Sequence, residues 1–368
     1  MSRARAPTLR LLADDLTGAL DTAAEFVGVS GPIPVYWTQP AARDLPASAA
    51  LDSGTRELPE AEAVAVVGEL ARALEQGAIA YKKVDSLLRG HTLPELAACF
   101  RRGAWRHCVF APAFPHQERI TRGGRQFARR DGDWAPVSGD LVAGIAATGV
   151  PVQRGRCDRE LAPGIGVFDA ETDTDLDRIV AIGRRASAPV LWCGSGGLAG
   201  ALARGTDPVA PADLHPPVLG LFGSDQPATA RQLAACGRHW LKLPDGGPAS
   251  AAKLEGRLRA GGVALASFDL PAGIGREEAG ERIRRNVAAL TSGSAAPRTV
   301  VVAGGETLRA LCTVLGAEAL EVRGRIEPGV PRSVMRGGRW SGVDVVSKSG
   351  AFGRPDLWRE LLQRSGLT

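Results

Sequence analysis

The stretch Thr299-Val-Val-Val-Ala-Gly-Gly-Glu-Thr307 contains the pattern on which our interpretation of the whole chain rests. Its first five residues are β-branched or apolar, which predicts a short buried strand. Gly304 and Gly305 end this strand, and residues 308–316 follow with helical spacing and a terminal glycine. Glycines let a backbone approach an anion closely, and the first N–H groups of a helix point toward it. The stretch therefore predicts either a phosphate-binding turn or an ordinary strand–helix turn.

A second glycine turn, in residues 343–353, favours the phosphate-binding interpretation. It contains Lys348 and Gly350 after a run of apolar residues that predicts the next strand. Two such turns would hold one polyphosphate, with Lys348 neutralising its charge or holding its own loop. Residues 342–349 also resemble a P-loop, but the predicted strand inside this segment excludes a glycine-rich loop there.

The composition predicts a globular protein of two domains. The chain has 368 residues, of which 44% are hydrophobic and 23% are charged. No apolar run approaches the 18 or so residues that a membrane helix needs, and Asp14 and Asp15 interrupt the apolar N-terminal region. The six cysteines are widely spaced without a C-x-x-C pair, which predicts no zinc site, no disulfide framework and a cytoplasmic location.

The net charge of +5 comes from arginines that are scattered along the chain. Because no cluster of basic and aromatic residues accompanies them, we expect neither nucleic acid nor a membrane as a partner. The oligomeric state is open, with a homodimer as the candidate.

Predicted strands alternate with predicted helices, and each strand ends in a polar turn. In the first half the strands are predicted near residues 8–13, 33–37, 49–56, 78–84, 108–112, 151–154, 166–169 and 189–193. The arginine-rich residues 123–135 predict a hairpin or flap between two of them. The alternation resumes after residue 218, with strands near 218–224, 263–267, 300–303, 321–326 and 343–347. The chain is therefore predicted to be α/β, with two domains that each contain a largely parallel sheet flanked by helices.

Charged residues follow several strands of the first half and are expected to meet at one edge of its sheet. They are Asp14, Asp15, Arg56, Lys83, Asp85, Arg89 and Arg119. Such loops carry function in α/β proteins, although a solvated rim of charges is the alternative interpretation. Carboxylates mixed with cations suit a small, hydroxylated, anionic substrate. We expect Asp14 to face this substrate and Asp15 to cap the following helix, with the reverse assignment open.

A rival interpretation rests on the turn between Gly194 and Gly200. Its G-x-G-x-x-A pattern resembles a dinucleotide fingerprint and predicts an NAD-linked oxidoreductase. The proline-rich segment 206–217 that follows lacks the second strand and acidic residue of such a site, which argues against hydride transfer. We interpret this segment as a linker between a substrate-binding domain, residues 1–205, and a nucleotide-binding domain, residues 218–368. A non-catalytic sugar-acid-binding protein is the other alternative.

Six motifs in order resemble those of the four-carbon acid sugar kinases. They are Ala13-Asp-Asp-Leu-Thr-Gly-Ala19, Tyr81-Lys-Lys-Val-Asp-Ser86 with Arg89-Gly90, Ala111-Pro-Ala-Phe-Pro115, Gly304-Gly-Glu-Thr307, Pro328-Gly-Val-Pro331 and Lys348-Ser-Gly-Ala-Phe-Gly353. The resemblance extends from about Leu9 to Trp358. This chain departs from the family in being shorter than many members and in having Glu118 where members usually carry a glycine before the arginine.

The resemblance implies ATP-dependent phosphorylation of a tetronate such as erythronate, threonate or a 3-oxo-tetronate. It implies an acid-sugar-binding N-terminal domain, a nucleotide-binding C-terminal domain and an active site in the cleft between them. The nucleotide contacts that it implies are Ser224, Gly304, Gly305, Glu306, Thr307 and Gly350. We expect Mg²⁺ with the ATP, and closure of the domains across the linker to bring the two ligands together.

The expected substrate contacts come from the charged turns. The acid carboxylate is expected to pair with Arg56, Arg119 or a lysine of the pair Lys82 and Lys83. Asp14 or Asp15 would accept a hydrogen bond from the reacting hydroxyl and act as its base. Asp85 and Arg89 complete the predicted substrate site.

Overall fold

The computed structural model describes residues 6–38, 44–206, 208–224, 226–271 and 273–367. The chain forms two compact units, residues 1–208 and 209–368. Each unit consists of a sheet with flanking helices, and each has its own buried apolar core. The α/β fold class predicted from the sequence is therefore confirmed.

The first unit is built mainly from a parallel sheet. Its strands are β1 (Leu9–Ala13), β2 (Ile33–Tyr36), β3 (Ala49–Asp52), β4 (Ile79–Lys83), β5 (His107–Ala111), β6 (Arg119–Arg122), β7 (Arg125–Arg130), β8 (Asp133–Pro136), β9 (Val152–Arg154), β10 (Gly164–Val167) and β11 (Val190–Gly194). Eight of them pair in parallel in the order β2-β3-β1-β4-β11-β5-β10-β9. Because the strands are parallel, the loops after β3, β1, β4, β11 and β5 all leave the sheet at the same edge.

Helices connect these strands and cover the sheet. They are α1 (Leu16–Ser30), α2 (Glu60–Leu70), α3 (Thr92–Arg102), α4 (Leu141–Ala146), α5 (Asp173–Gly183) and α6 (Gly196–Leu202), with short 3-10 helices at Ala71–Gln76 and Pro115–Gln117. The predicted hairpin near residues 123–135 is present as the antiparallel three-stranded sheet β6-β7-β8.

The second unit has a mixed sheet. Its strands are β12 (Val218–Phe222), β13 (Trp240–Leu243), β14 (Val263–Phe268), β15 (Thr299–Ala303), β16 (Ala319–Glu327), β17 (Val330–Arg336) and β18 (Asp344–Lys348). They pair in the order β13-β14-β12-β15-β18-β17-β16. The first five are parallel, whereas β17 runs antiparallel to both of its neighbours.

The helices of the second unit are α7 (Pro227–Ala234), α8 (Pro248–Gly261), α9 (Arg276–Thr291), α10 (Gly305–Leu315) and α11 (Leu357–Arg364), with a 3-10 helix at Gly237–His239. The sequence analysis missed β13, α8, β17 and α11. It interpreted residues 328–331 as a lead into the last strand, but they contain the hairpin turn between β16 and β17. In the part of the chain that the structure describes, no helix is long and apolar enough to cross a membrane.

Candidate active site

Asp14 lies at the carboxyl end of β1, in the middle of the first sheet, and its residue surface is only 4% exposed. Arg56 follows β3 and binds this carboxylate through two bonds, Nε to Oδ2 at 2.7 Å and Nη2 to Oδ1 at 3.0 Å. Burial acts to raise the pKa of Asp14, but the charge and hydrogen bonds of Arg56 outweigh it and hold the pKa below its usual range. The carboxylate is therefore charged and fixed in orientation.

Asp15 caps helix α1. Its Oδ1 accepts the backbone N–H of Gly18 at 3.0 Å, and its Oδ2 accepts the hydroxyl of Thr17 at 2.7 Å. The same carboxylate also accepts Nη2 of Arg56 at 2.7 Å. The capping role that the sequence predicted for Asp15 is confirmed.

The loop after β4 is organised around Asp85. Its Oδ2 accepts the backbone N–H groups of Leu87 and Arg89 at 3.1 and 3.2 Å, and both oxygens accept the guanidinium of Arg89 at 2.8 and 2.7 Å. Leu88 adopts a left-handed φ of 57°, a strained conformation for a leucine that these bonds help to impose. Arg56 approaches Asp85 to 3.8 Å, so this loop adjoins the pair of Asp14 and Arg56.

Lys83 ends β4 and lies against the first turn of α1. A Cβ atom on Gly18 would meet its Nζ at 2.8 Å, and the lysine is only 5% exposed. Its charge contributes to the low pKa of Asp14 and Asp85, after the larger effects of burial and of the neighbouring arginines. Among the residues that the structure describes, none forms a direct hydrogen bond or ion pair with this ammonium group. It is therefore available for an anionic ligand.

Lys82, the other lysine of this pair, has a different environment, since successive side chains of a strand point to opposite faces. Its Nζ binds Oε2 of Glu95 on α3 at 2.8 Å, and both groups are buried. The other oxygen of Glu95 accepts the hydroxyl of Thr55 at 2.7 Å. The contacts thus distinguish the two lysines: Lys82 is engaged by Glu95, whereas Lys83 has no direct partner among the described residues.

Arg119 begins β6, beside the predicted substrate loops. Its Nη1 donates to the backbone carbonyls of Gln117 and Glu118, and its buried Nε has no acceptor among the described residues. Glu118 has a left-handed φ of 57°, a conformation that glycine adopts without strain. This chain thus has Glu118 where family members usually carry a glycine, but its backbone keeps a conformation that suits glycine.

The three-stranded sheet is attached to the site loops by Gln126 of β7. The fully buried amide donates to the carbonyls of Ser86 at 2.9 Å and Pro112 at 3.2 Å, and it accepts the hydroxyl of Thr121 at 2.6 Å. Because Ser86 follows β4 and Pro112 follows β5, this contact positions the sheet beside the candidate site.

The glycine turn that suggested NAD binding serves close packing instead. A Cβ atom on Gly194 would lie 2.5 Å from the carbonyl oxygen of Ala111, and one on Gly197 would lie 2.5 Å from that of Ala113. Ser195 caps α6, whose seven residues are short for a dinucleotide-binding helix. The start of this helix is buried against the loop after β5, and the structure does not favour the oxidoreductase alternative.

The predicted nucleotide contacts meet in the second unit, where β12, β15 and β18 are adjacent and parallel. A Cβ atom on Gly350 would lie 2.1 Å from Oγ of Ser224, so the loops after β12 and β18 touch. Gly304, with a φ of 105°, precedes α10 and donates its N–H to the carbonyl of Lys348 at 3.1 Å. Thr307 accepts the N–H of Gly223 at 3.1 Å. These loops converge on one edge of the sheet.

The remaining predicted nucleotide residues lie in the first turn of α10. Gly305 is half-buried and Glu306 is exposed, so the N-terminal end of this helix is accessible to a ligand. Backbone N–H groups at such an end attract anions.

Lys348 is buried, and its Nζ donates to the carbonyls of Ser349 at 3.1 Å and Gly350 at 3.2 Å. Burial lowers the pKa of this lysine to about 7. Of the two roles considered from the sequence, the contacts in the structure fit the one in which Lys348 holds its own loop.

Sequence reasoning missed three buried polar residues that organise these loops, Glu95, Gln126 and Gln232. The only local signal for each of them was a polar residue next to apolar ones, and Gln126 and Gln232 also follow an arginine directly. Such a signal does not reveal the partner, because the partners lie far away in the chain.

The second unit has glycine turns that fit a polyphosphate, and the first unit has paired charges that fit a small polar acid. Together these are the two binding sites that a small-molecule kinase requires. Residues 9–146 match the family model described as a sugar-binding N-terminal domain, and residues 261–358 match a nucleotide-binding C-terminal domain. The chain belongs to the family of four-carbon acid sugar kinases.

The curated relatives align along nearly the whole chain. The D-threonate kinase of Cupriavidus necator is 34% identical over 95% of this chain and 96% of its own length. The D-threonate kinase of Bordetella bronchiseptica is 32% identical over the same shares. The 3-oxo-tetronate kinase of Methylobacterium radiotolerans is 29% identical over 96% of this chain and 98% of its own length.

Two crystal structures share the fold. One, of a Salmonella typhimurium protein, has a TM-score of 0.74 at 20% identity and covers 97% of this chain and 99% of that chain. The other, of a Haemophilus influenzae protein, has a TM-score of 0.71 at 18% identity and covers 97% of this chain and 100% of that chain. At these identities the likeness concerns the fold alone.

Proposed function

We propose that this protein is an ATP-dependent kinase that phosphorylates a hydroxyl group of a four-carbon acid sugar. The observation that carries the proposal is the fixed carboxylate of Asp14, paired with Arg56, near the ammonium of Lys83, which has no direct partner among the described residues. D-Threonate is the first substrate to test, because two relatives that align over 95% of this chain are D-threonate kinases. Erythronate and 3-oxo-tetronates are the next candidates.

The charges at this edge of the first sheet favour an acid as the ligand. They come from three carboxylates and four cations, namely Asp14, Asp15, Asp85, Arg56, Lys83, Arg89 and Arg119. A sugar acid brings one carboxylate, which needs cationic partners at this edge. We propose Lys83 and Arg119 as the partners of its carboxylate, because Lys83 has no direct partner and Nε of Arg119 has no acceptor among the described residues.

Asp14 is the proposed partner of the reacting hydroxyl. Arg56 keeps its carboxylate charged and oriented, so it can accept the hydroxyl hydrogen bond. It would take the proton as the hydroxyl oxygen bonds to the γ-phosphorus and the bond from that phosphorus to the β–γ bridging oxygen breaks, which releases ADP. Phosphoryl transfer proceeds through a loose transition state, in which positioning and charge neutralisation contribute more than a strong base. A carboxylate of low pKa is compatible with this role.

The phosphates of ATP would bind to backbone N–H groups at the start of α10 and in the loop after β18. The glycines at these positions allow close approach, and the helix dipole favours negative charge. Mg²⁺ usually binds through phosphate oxygens, waters and one or two carboxylates, and the exposed carboxylate of Glu306 fits that donor set. When bound, Mg²⁺ would neutralise charge on the phosphates.

Two further assignments belong to the proposal. The six free cysteines fit a reducing cytoplasm. The location of the active site between the two domains, and their closure around the ligands, stay predictions from the sequence.

An assay of ADP release tests the reaction. The protein is incubated with Mg-ATP and a panel of D-threonate, L-threonate, D-erythronate and a 3-oxo-tetronate, with the uncharged threitol as control. We expect turnover with at least one acid and none with threitol. Binding of the acids without ADP release would support the non-catalytic alternative, and thermal stabilisation by NAD but not by Mg-ATP would support an oxidoreductase.

A further inference from the structure

Gln232 of α7 is fully buried and holds a loop that lies about 120 positions away in the chain. The NH2 group of its side chain lies within hydrogen-bond distance of three carbonyl oxygens, those of Phe352 at 3.1 Å, Gly353 at 3.0 Å and Arg354 at 2.9 Å, which share its two N–H bonds. A buried amide that serves only one loop indicates that the conformation of this loop is closely specified.

Two further side chains hold the beginning of the same loop. The hydroxyl of Thr229, one helical turn before Gln232, donates to the carbonyl of Gly350 at 2.9 Å. Lys348 donates to the carbonyls of Ser349 and Gly350 at 3.1 and 3.2 Å. Between residues 349 and 354, every carbonyl except that of Ala351 is thus held by one of three side chains.

This arrangement determines where the N–H groups of the loop point. In a trans peptide the N–H of the next residue is directed opposite to the carbonyl. The carbonyls point toward Lys348 and α7, so the N–H groups of Gly350, Ala351, Gly353 and Arg354 point away from them. No residue that the structure describes accepts a hydrogen bond from these four groups.

Unpartnered backbone N–H groups of one loop, beside a glycine turn, are suited to an anion. The loop also adjoins the other predicted phosphate-binding segments, since Gly350 contacts Ser224 and Lys348 accepts the N–H of Gly304. The ligand of these N–H groups would be the polyphosphate of the nucleotide, an inference that rests on the proposed function.

We infer that Gln232 and Thr229 are positioning residues for polyphosphate binding, and that they act with Lys348 by turning the N–H groups of residues 350–354 toward the nucleotide. None of the three needs to touch a phosphate. The affinity is supplied by the backbone, and the side chains supply its orientation.

The test compares ATP with adenosine, which lacks the phosphates, in the full-length protein. Gln232→Met keeps the length of the side chain but removes its donors, and Gln363→Met is the control on the exposed face of α11. We expect Gln232→Met to weaken ATP binding by about 10-fold or more, because several hydrogen bonds that orient the loop are lost. The affinity for adenosine, measured by competition, should change less than 2-fold (roughly the error of such a titration) and Gln363→Met should match the wild type in both.

Thr229→Val provides a second, milder variant in case Gln232→Met does not fold, and Thr229→Ser keeps the hydroxyl. We expect Thr229→Val to raise the KM for ATP several-fold and Thr229→Ser to restore it. Equal losses of ATP and adenosine affinity would show a merely structural role and overturn the inference, as would unchanged ATP affinity in folded variants. If the wild-type protein itself does not bind ATP, the proposed function fails first, so the two failures are distinguishable.

Discussion

At the scale of single residues, neighbouring charged side chains of the candidate site make different contacts and so have different roles. Asp14 and Asp15 are adjacent in sequence and both contact Arg56, yet only Asp15 caps the helix. Asp14 receives its two hydrogen bonds from one guanidinium fork, and no backbone N–H of a described residue binds its carboxylate. This division makes Asp14 the better candidate for contact with a substrate hydroxyl.

We predict that Asp14→Asn lowers turnover by about 10²-fold or more, the usual scale for the loss of a general base. ATP affinity should remain unchanged, because the proposed nucleotide contacts lie in the second unit. Steady-state kinetics and calorimetric titration with ATP measure the two quantities.

Asp15→Asn is the matched control for this prediction. Asparagine also caps helices, so the cost should be about 1 kcal/mol or less in the free energy of unfolding. Turnover close to the wild type in both variants would remove the pair from the mechanism and make Asp85 the next carboxylate to test.

Lys348 leads to a prediction about pH. Burial lowers its pKa to about 7 in the folded protein, whereas an unfolded lysine has a pKa of about 10.4. As the pH rises through 7, the ammonium loses its charge and its bonds to the carbonyls of Ser349 and Gly350 weaken. We therefore expect ATP affinity to fall between pH 6 and pH 9, in calorimetric titrations at constant ionic strength.

The same shift affects stability with the opposite sign. Between pH 7 and about 10 the unfolded chain binds more protons at Lys348 than the folded one does, so its contribution to the free energy of unfolding rises with pH. Lys348→Met should remove both dependences. An ATP affinity that varies with pH in the same way in Lys348→Met would assign the effect to another group.

At the scale of elements, the candidate nucleotide site depends on which strands are neighbours. The sequence predicted β15 and β18 as strands and their following glycine turns as ligand loops. It did not predict that β17, which is antiparallel, lies on the other side of β18 and leaves β15 and β18 in direct contact. Local periodicity indicates that a segment is a strand. Which strands become its neighbours in the sheet depends on contacts across the whole unit.

The missed elements have two different causes. α8 has two local signals in the sequence, Pro248 in its first turn and Gly262 directly after its end, and these residue types are typical of the two ends of a helix. The strand β13 has only four residues, and one of them is the exposed Lys242, so its alternation is too short to be distinctive. Side-chain roles such as those of Glu95 and Gln232 required the fold itself.

The first turn of α10 can be tested with Gly305→Val. A branched side chain there would obstruct the approach of a phosphate to the first N–H groups of the helix, so we expect ATP binding to be lost. Gly256→Val is the control, because Gly256 lies in α8 and a Cβ atom added there would meet no other atom within 4 Å. Unchanged ATP affinity in folded Gly305→Val would show that the nucleotide binds elsewhere.

The buried ion pair between β4 and α3 allows a prediction about stability. Lys82→Met leaves the carboxylate of Glu95 buried without its charge partner, which typically costs about 3–5 kcal/mol in the free energy of unfolding. The double variant Lys82→Met/Glu95→Leu removes both charges and should recover most of this loss. Chemical denaturation followed by circular dichroism measures both variants, and equal stability of the single and double variants would contradict the expectation.

At the scale of the whole molecule, the chain consists of two compact units, each with its own buried apolar core. The first contains the paired charges that suit an acid, and the second contains the glycine turns that suit a polyphosphate. The family models divide the chain in the same sense, with a sugar-binding domain at residues 9–146 and a nucleotide-binding domain at residues 261–358. Each ligand, added alone, should therefore protect backbone N–H groups from hydrogen exchange in its own unit.

Hydrogen exchange with one ligand at a time tests this division. D-Threonate alone should slow exchange in the loops of the first unit around residues 53–56 and 85–90, because a bound acid would restrain Arg56, Asp85 and their backbone. ATP alone should slow exchange around residues 304–308 and 349–354, where we propose that N–H groups bind the phosphates. The Asp14→Asn variant should keep the ATP footprint, and Gly305→Val should keep the threonate footprint. Protection by threonate confined to residues 209–368, or protection by ATP confined to residues 1–208, would contradict the assignment of the ligands to the units.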